Sequence, residues 1–216
     1  MNYTKEQIAQ ALDLSVLKPT QRPKDIDEAC CVVQEHGIHS ICVQPCYVDF
    51  ARQRGVRVTS VIGFPHGLSP IKSSEAMFAI ASGADELDVV INYSAALAGW
   101  WNTVAAELMA IARIAKPRGI VTKAILETCY LDRLQIIKLV RICQEAGFDF
   151  VKTSTGFGER GADMDTVRLL VDIRGDMQVK ASGGIKTYED ACRYLDLGCT
   201  RIGASDYFGL LPEIAV

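Results

Sequence analysis

Two hydrophobic periods alternate along this chain. Short runs rich in Val and Ile (HSICVQ, RVTSVIGF, DELDVVIN, VTKAILE, DFVKTS, QVKAS, TRIGAS) are apolar at successive positions, as strands buried on both faces are. Between them lie amphipathic stretches of helical period at roughly 24–36, 71–82, 102–115, 132–146, 164–173 and 187–197. A glycine stands between each helical pattern and the next strand pattern: Gly37, Gly55, Gly83, Gly119, Gly147, Gly175 and Gly198. A residue just past a helix often adopts the left-handed conformation that closes it, and glycine does so without steric cost. Their spacings of 18, 28, 36, 28, 28 and 23 residues are each about the size of one strand–helix unit. Asp163 and Thr187 fit N-caps, the latter with Asp190 at the capping-box position in place of the usual Glu or Gln.

An early run at 12–17 (LDLSVL) brings the number of strands to eight, each followed by at least a short helix. Strict alternation of strand and helix implies a parallel sheet. Eight units with no linker or break in composition imply a closed, single-domain (β/α)8 TIM barrel with parallel strands, spanning 1–216. An open doubly wound sheet fits less well, because the G-x-G-x-x-G signature after the first strand is missing. Eight units in 216 residues average 27 each, close to the lower size limit of roughly 200 residues for a barrel. So short a chain has little room for an added domain or long lid, and its chemistry is expected on the strands themselves.

Composition narrows the class of function. Apolar residues make up 49% and charged residues 23%, which excludes a disordered chain. No apolar run approaches the roughly 18 to 20 residues of a membrane span, and the start, MNYTKEQIAQALD, is polar and helix-like, unlike a secretion signal. The net charge of −3 gives no basic field for nucleic acid. A cytoplasmic protein with neither membrane nor nucleic-acid partners is expected. The eight cysteines are an even number, but no disulfide-framework spacing and no C-x-x-C accompany them, so reduced, mostly buried thiols are expected. Three scattered histidines do not make a zinc set, and neither a structural metal nor a cofactor is expected.

Active sites of barrels lie at the C-terminal ends of the strands, so polar residues on inward positions there carry the chemistry. ELDVVIN places Asp88 among apolar neighbours; TKAILE places Lys123 and Glu127 at like parity, hence on one face. DFVKTSTG and QVKASGG place Lys152 and Lys180 in the same relative position on adjacent strands. A buried lysine costs several kcal/mol unless it is paired or deprotonated. Ion pairs with Asp88, Glu127 or Asp13 offer a purely structural reading of each one. Two neighbouring lysines shift the balance: each ammonium disfavours the other, one amine is pushed toward the neutral nucleophilic form, and Asp88 completes a set suited to Schiff-base chemistry on a carbonyl. Beside it, Ser182, Gly183 and Gly184 follow one strand and Gly203, Ala204 and Ser205 the next, where barrels commonly hold phosphate on bare backbone N–H groups.

The segments LDLSVLKP, ICVQP, VIGFPHG, GADELDVVIN, KAILET, DFVKTSTGF, VKASGGI and RIGAS resemble deoxyribose-phosphate aldolases, in order and along almost the whole chain. The resemblance implies a class I aldolase that reversibly cleaves 2-deoxy-D-ribose 5-phosphate to acetaldehyde and D-glyceraldehyde 3-phosphate. It implies that Lys152 forms the Schiff base and that Lys180 lowers its pKa and, with Asp88, relays protons. It further implies that backbone around Gly183, Gly184, Gly203 and Ala204, with Ser205 and Gly156, holds the phosphate. Transaldolase-like and dehydroquinase-like barrels would share a lysine but not the VKTSTG and VKASGG pairing, and a sugar-phosphate sensor would not need a neutral amine.

Some positions depart from the family pattern. Relatives often read D-H-T in the first strand, whereas this chain has Asp13-Leu14-Ser15. Asp206 follows Ser205 and would repel a phosphate unless it turns away to cap the last helix. The sequence ends at Val216, so a contact carried by a longer tail is not expected. Trp100-Trp101 suits a lid, a subunit contact or packing at a helix start; His66 suits a substrate contact or a turn; Cys42, inward on ICVQ, suits a thiol near the site or a core residue. Barrels of this size occur as monomers and as homodimers.

Overall fold

The computed structural model describes residues 3–211. A first helix, α1 (Lys5–Ala11), leads into β1 (Leu12–Val16). Then follow α2 (Pro23–His36), β2 (Ser40–Val43), α3 (Val48–Arg52), β3 (Val58–Ile62), α4 (Lys72–Ala81) and β4 (Glu86–Val90). The second half runs α5 (Tyr93–Leu97), α6 (Trp101–Ala115), β5 (Val121–Ile125), α7 (Arg133–Ala146), β6 (Phe150–Lys152), α8 (Met164–Ile173), β7 (Gln178–Ser182), α9 (Tyr188–Asp196) and β8 (Arg201–Ala204). Each strand pairs in parallel with the next and β8 pairs with β1, closing the barrel in sequence order. The single-domain (β/α)8 architecture expected from the sequence is thus the observed one.

The local signals act as their chemistry requires. All seven glycines between helix and strand have positive φ, from 59° at Gly175 to 106° at Gly198. The Asp163 and Thr187 side chains accept from the backbone N–H of Thr166 and Asp190. The full capping box expected at Thr187 does not form: Asp190 is one methylene shorter than Glu, and its carboxylate lies 3.9 Å from Arg193 instead. A complete box does form at Asp132 with Gln135. After β8 the described residues form a turn over 208–210, and the helix expected beyond it lies outside the described residues, as does the end of the chain.

Burial separates two environments. Helix faces and outward strand residues such as Ile41, Leu87, Ala124, Val151 and Val179 form one continuous apolar layer. The barrel interior is polar, with Asp13, Ser40, Thr59, Asp88, Lys123 and Lys180 all fully buried. Lys123, Lys152 and Lys180 are the bulkiest of the fully buried side chains. Five cysteines (Cys30, Cys42, Cys143, Cys192, Cys199) are buried and all eight are free thiols. Among the described residues no helix is long and apolar enough to cross a membrane.

Candidate active site

Register brings the lysines together. Asp88 stands beside Lys123 across β4 and β5, and Lys152 stands beside Lys180 across β6 and β7. Asp88 is the hub: its Oδ1 accepts from Lys123 Nζ at 2.8 Å, and its Oδ2 from Lys152 Nζ at 2.7 Å and from Lys180 Nζ at 2.8 Å. Three ammonium-bearing chains on one carboxylate need further anions. Asp13 supplies one, accepting a short bond from Lys180 and one from Arg201 Nη1 at 2.8 Å. Glu86 supplies the other, paired closely with Lys123 and 3.4 Å from Arg201 Nη1.

The two central lysines diverge because their anions differ. Burial draws the Lys152 pKa down and the Lys180 charge adds to the fall, while Asp88 and, less strongly, Cys42 oppose it. Burial also disfavours the Lys180 ammonium, but Asp13 and Asp88 together hold its pKa above the ordinary lysine value. The pair therefore contains one stable cation and one amine biased toward its neutral form. Asp88 is held well below the carboxylate range, burial notwithstanding, by Lys123, Lys152 and Lys180.

Lys152 opens onto a cavity of about 310 Å³. Its far wall is made by Gly156, Ser182, Gly183, Gly184, Gly203, Ala204 and Ser205, so every residue expected to cradle an anion lines the same space as the amine. The glycines are required by geometry. Gly183 has φ of 88°, and a Cβ there would lie 2.8 Å from Gly161 Cα. A Cβ at Gly203 would lie 2.9 Å from Ser182 Cβ and 3.1 Å from Lys180 Cε. Gly203→Ala is accordingly expected to push on both and to raise KM for a phosphorylated substrate about tenfold, a loss of about 1.4 kcal/mol of binding, with a smaller change for an unphosphorylated one; steady-state kinetics with the two substrates checks this. The Ser182 hydroxyl donates to the Ser154 carbonyl at 2.5 Å, which pins the β6 and β7 loops together.

Several expected residues sit differently. Glu127 does not share a face with Lys123, because the backbone leaves β5 after Ile125 and turns left-handed at Glu127, with φ of 53°. Its buried carboxylate pairs with none of the three lysines; it takes a short hydrogen bond from the Thr155 hydroxyl and another from Thr155 N at 3.2 Å. Glu127 thus anchors the loop after Lys152 and is not an ion-pair partner of the lysine layer. Cys42 is fully buried in a small cluster with Leu17 and Val61, and burial pushes its thiol up to about 11, which makes it a poor nucleophile. Asp206 lies outside the cavity lining, its Oδ1 accepting from Phe208 N at 3.0 Å, so it caps a turn and faces away from the anion cradle. His66 is exposed, 3.4 Å from the Tyr93 hydroxyl. Trp100 is exposed at the start of α6, whereas Trp101 packs partly against the core.

Four charged residues escaped the sequence reading. Glu86 shares strand parity with Asp88, a signal that was present but unused, and Arg201 opens β8 directly beside Lys180. Lys18 and Lys186 bring two further ammonium groups to the cavity lining, directly after the first strand pattern and after Gly183-Gly184. The carboxylates of Asp13 and Glu86 and the His39 imidazole lie within 4.8 Å of one another, yet both carboxylates are already neutralised by lysine and arginine.

A parallel eight-stranded barrel with a buried amine at its C-terminal mouth, facing a glycine-lined anion cradle, defines the class of lysine-dependent barrel aldolases. More narrowly, the chain belongs to the DeoC/LacD family of aldolases, whose family model matches residues 7–211. It is 43% identical to a deoxyribose-phosphate aldolase of Caldanaerobacter subterraneus over 95% of this chain and 93% of that protein. It is 44% identical to a protein of the same name from Thermotoga maritima, over 93% of this chain and 83% of that protein. Among solved structures, a deoxyribose phosphate aldolase from Aeropyrum pernix, described as a unique tetramer, superimposes with a TM-score of 0.90 at 34% identity, over 96% of this chain and 91% of that one.

Proposed function

We propose that this chain reversibly cleaves 2-deoxy-D-ribose 5-phosphate to acetaldehyde and D-glyceraldehyde 3-phosphate, as a cytoplasmic lyase of deoxyribonucleotide breakdown. The observation that carries this reading is the shared Asp88 oxygen: Lys152 and Lys180 both donate to Oδ2, yet only Lys180 has a second carboxylate. The uncharged Lys152 amine attacks C1 of the open-chain sugar, and loss of water leaves an iminium ion. The iminium withdraws the electron pair of the C2–C3 bond as the C3 hydroxyl proton departs, releasing glyceraldehyde 3-phosphate (C3–C5) and leaving the enamine of acetaldehyde (C1–C2). Protonation of the enamine carbon and hydrolysis then free acetaldehyde and regenerate the amine. Asp88 and Lys180, with water in the cavity, are the carriers for these protons, and such positioned transfer contributes typically 10² to 10⁴ in rate. The Gly183-Gly184 and Gly203–Ser205 backbone receives the phosphate, with Lys18 and Lys186 adding positive charge that the net charge of −3 does not.

Acetaldehyde release from deoxyribose 5-phosphate, followed with a coupled alcohol dehydrogenase, tests the reading. Release by the chain is expected, faster from the phosphorylated sugar than from free deoxyribose; binding of the sugar phosphate without release would indicate a sensor.

A further inference from the structure

Glu86 and Arg201 form a tier of charge at the strand starts, toward the N-terminal end of the barrel, and neither lines the substrate cavity. Glu86 bonds Lys123, which in turn bonds Asp88, which bonds Lys152. Arg201 bridges Asp13 and Glu86. The tier reaches solvent through His39 Nε2 and Arg57 Nε, each 3.0 Å from Glu86 Oε1. Arg201 Nε is buried without a hydrogen-bond partner, a costly arrangement for a residue whose only task is to bridge two carboxylates.

Charge count supplies the missing reason. The carboxylates Asp13, Glu86 and Asp88 face the cations Lys123, Lys180 and Arg201, three against three, and the sum closes with Lys152 neutral. The flanking charges Glu127 and Arg57 add one of each sign and leave the sum unchanged. The Cys42 thiol of β2 also acts on Lys152, and the exposed Lys18 and Lys186 line the cavity onto which it opens. A fourth interior cation would therefore stand uncompensated where Lys123, Lys180 and Asp88 are fully buried.

We propose that Glu86 and Arg201 are positioning residues of opposite sign that act through Lys123, Asp13 and Asp88 to set how readily Lys152 gives up its proton. The inference rests on the Schiff-base reading above. It makes the nucleophile's reactivity a property of the whole barrel interior, held from the end opposite the substrate.

The test follows the pH dependence of acetaldehyde capture at Lys152 by borohydride. Glu86→Gln deletes a negative charge, disfavours the Lys152 ammonium and moves the acid limb of capture to lower pH. Arg201→Gln deletes a positive charge and moves the limb to higher pH. A unit charge ~8 Å away at an effective dielectric of ~20 corresponds to a displacement of about 1.5 pH units in each direction. The double variant Glu86→Gln/Arg201→Gln restores the charge balance and returns the wild-type profile, and Arg201→Lys keeps it. A purely structural role would lower capture at every pH without moving the limb, so unmoved limbs, or limbs moved in the same direction, overturn the proposal. If the buried single variants do not fold, Arg57→Gln on the solvent side carries the test: a smaller rise is expected, and an unmoved limb overturns it. Absence of capture at Lys152 in the wild-type chain would instead refute the Schiff-base reading.

Discussion

Lys152→Ala is expected to lower turnover of deoxyribose 5-phosphate by at least about 10⁴-fold while leaving the barrel folded. No neighbour can replace the lost amine. Lys180 and Lys123 are held as cations by their carboxylates, and Cys42 is a high-pKa thiol in an apolar cluster. Deleting a covalent nucleophile removes the whole iminium route rather than one contribution to it, so the loss is far larger than that of a single hydrogen bond. Folding should survive because Asp88 keeps Lys123 and Lys180 as partners after the deletion. Single-turnover kinetics with circular dichroism separates the two outcomes; retention of more than about a tenth of the rate would place the nucleophile elsewhere.

Asp88→Asn should produce the largest combined loss of activity and stability. The amide has nearly the same shape but cannot neutralise Lys123, Lys152 and Lys180, all of which converge on it. Breaking a buried ion pair from one side costs about 3–5 kcal/mol, which would lower the melting temperature by several degrees. Turnover should fall a further 10² to 10⁴-fold from the lost proton carrier. The sign of the accompanying pH effect is fixed. With its carboxylate gone, Lys152 loses the main charge that favours its ammonium form, so the acid limb of Schiff-base formation moves down. An upward movement would mean that Asp88 acts on Lys152 in some other way.

Much of this architecture was legible without coordinates. Gly37, Gly147 and their counterparts marked the helix ends because only a left-handed residue closes a helix there, and ELDVVIN and its counterparts read as strands because they are apolar on both faces. Lys152 and Lys180 were legible as a pair because equivalent positions on adjacent parallel strands become neighbours whenever the barrel closes. Parity failed at Glu127, since a period of two holds only while the backbone stays extended, and a left-handed residue resets it. Arg201 was invisible for a different reason: whether the first residue of a strand faces inward depends on register, which the β7–β8 pairing sets and a single run of residues does not. Lys18 and Lys186 lie in loops, where no period applies.

The central claim is that one specific amine bonds covalently to the substrate carbonyl. Incubating the protein with acetaldehyde and sodium borohydride, then mapping the modified peptide by mass spectrometry, tests it most directly. The account predicts an N-ethyl group on Lys152 alone, formed in proportion to lost activity and absent when either acetaldehyde or borohydride is omitted. Ethylation of Lys123 or Lys180 with Lys152 untouched, or full activity after stoichiometric labelling of Lys152, would contradict it.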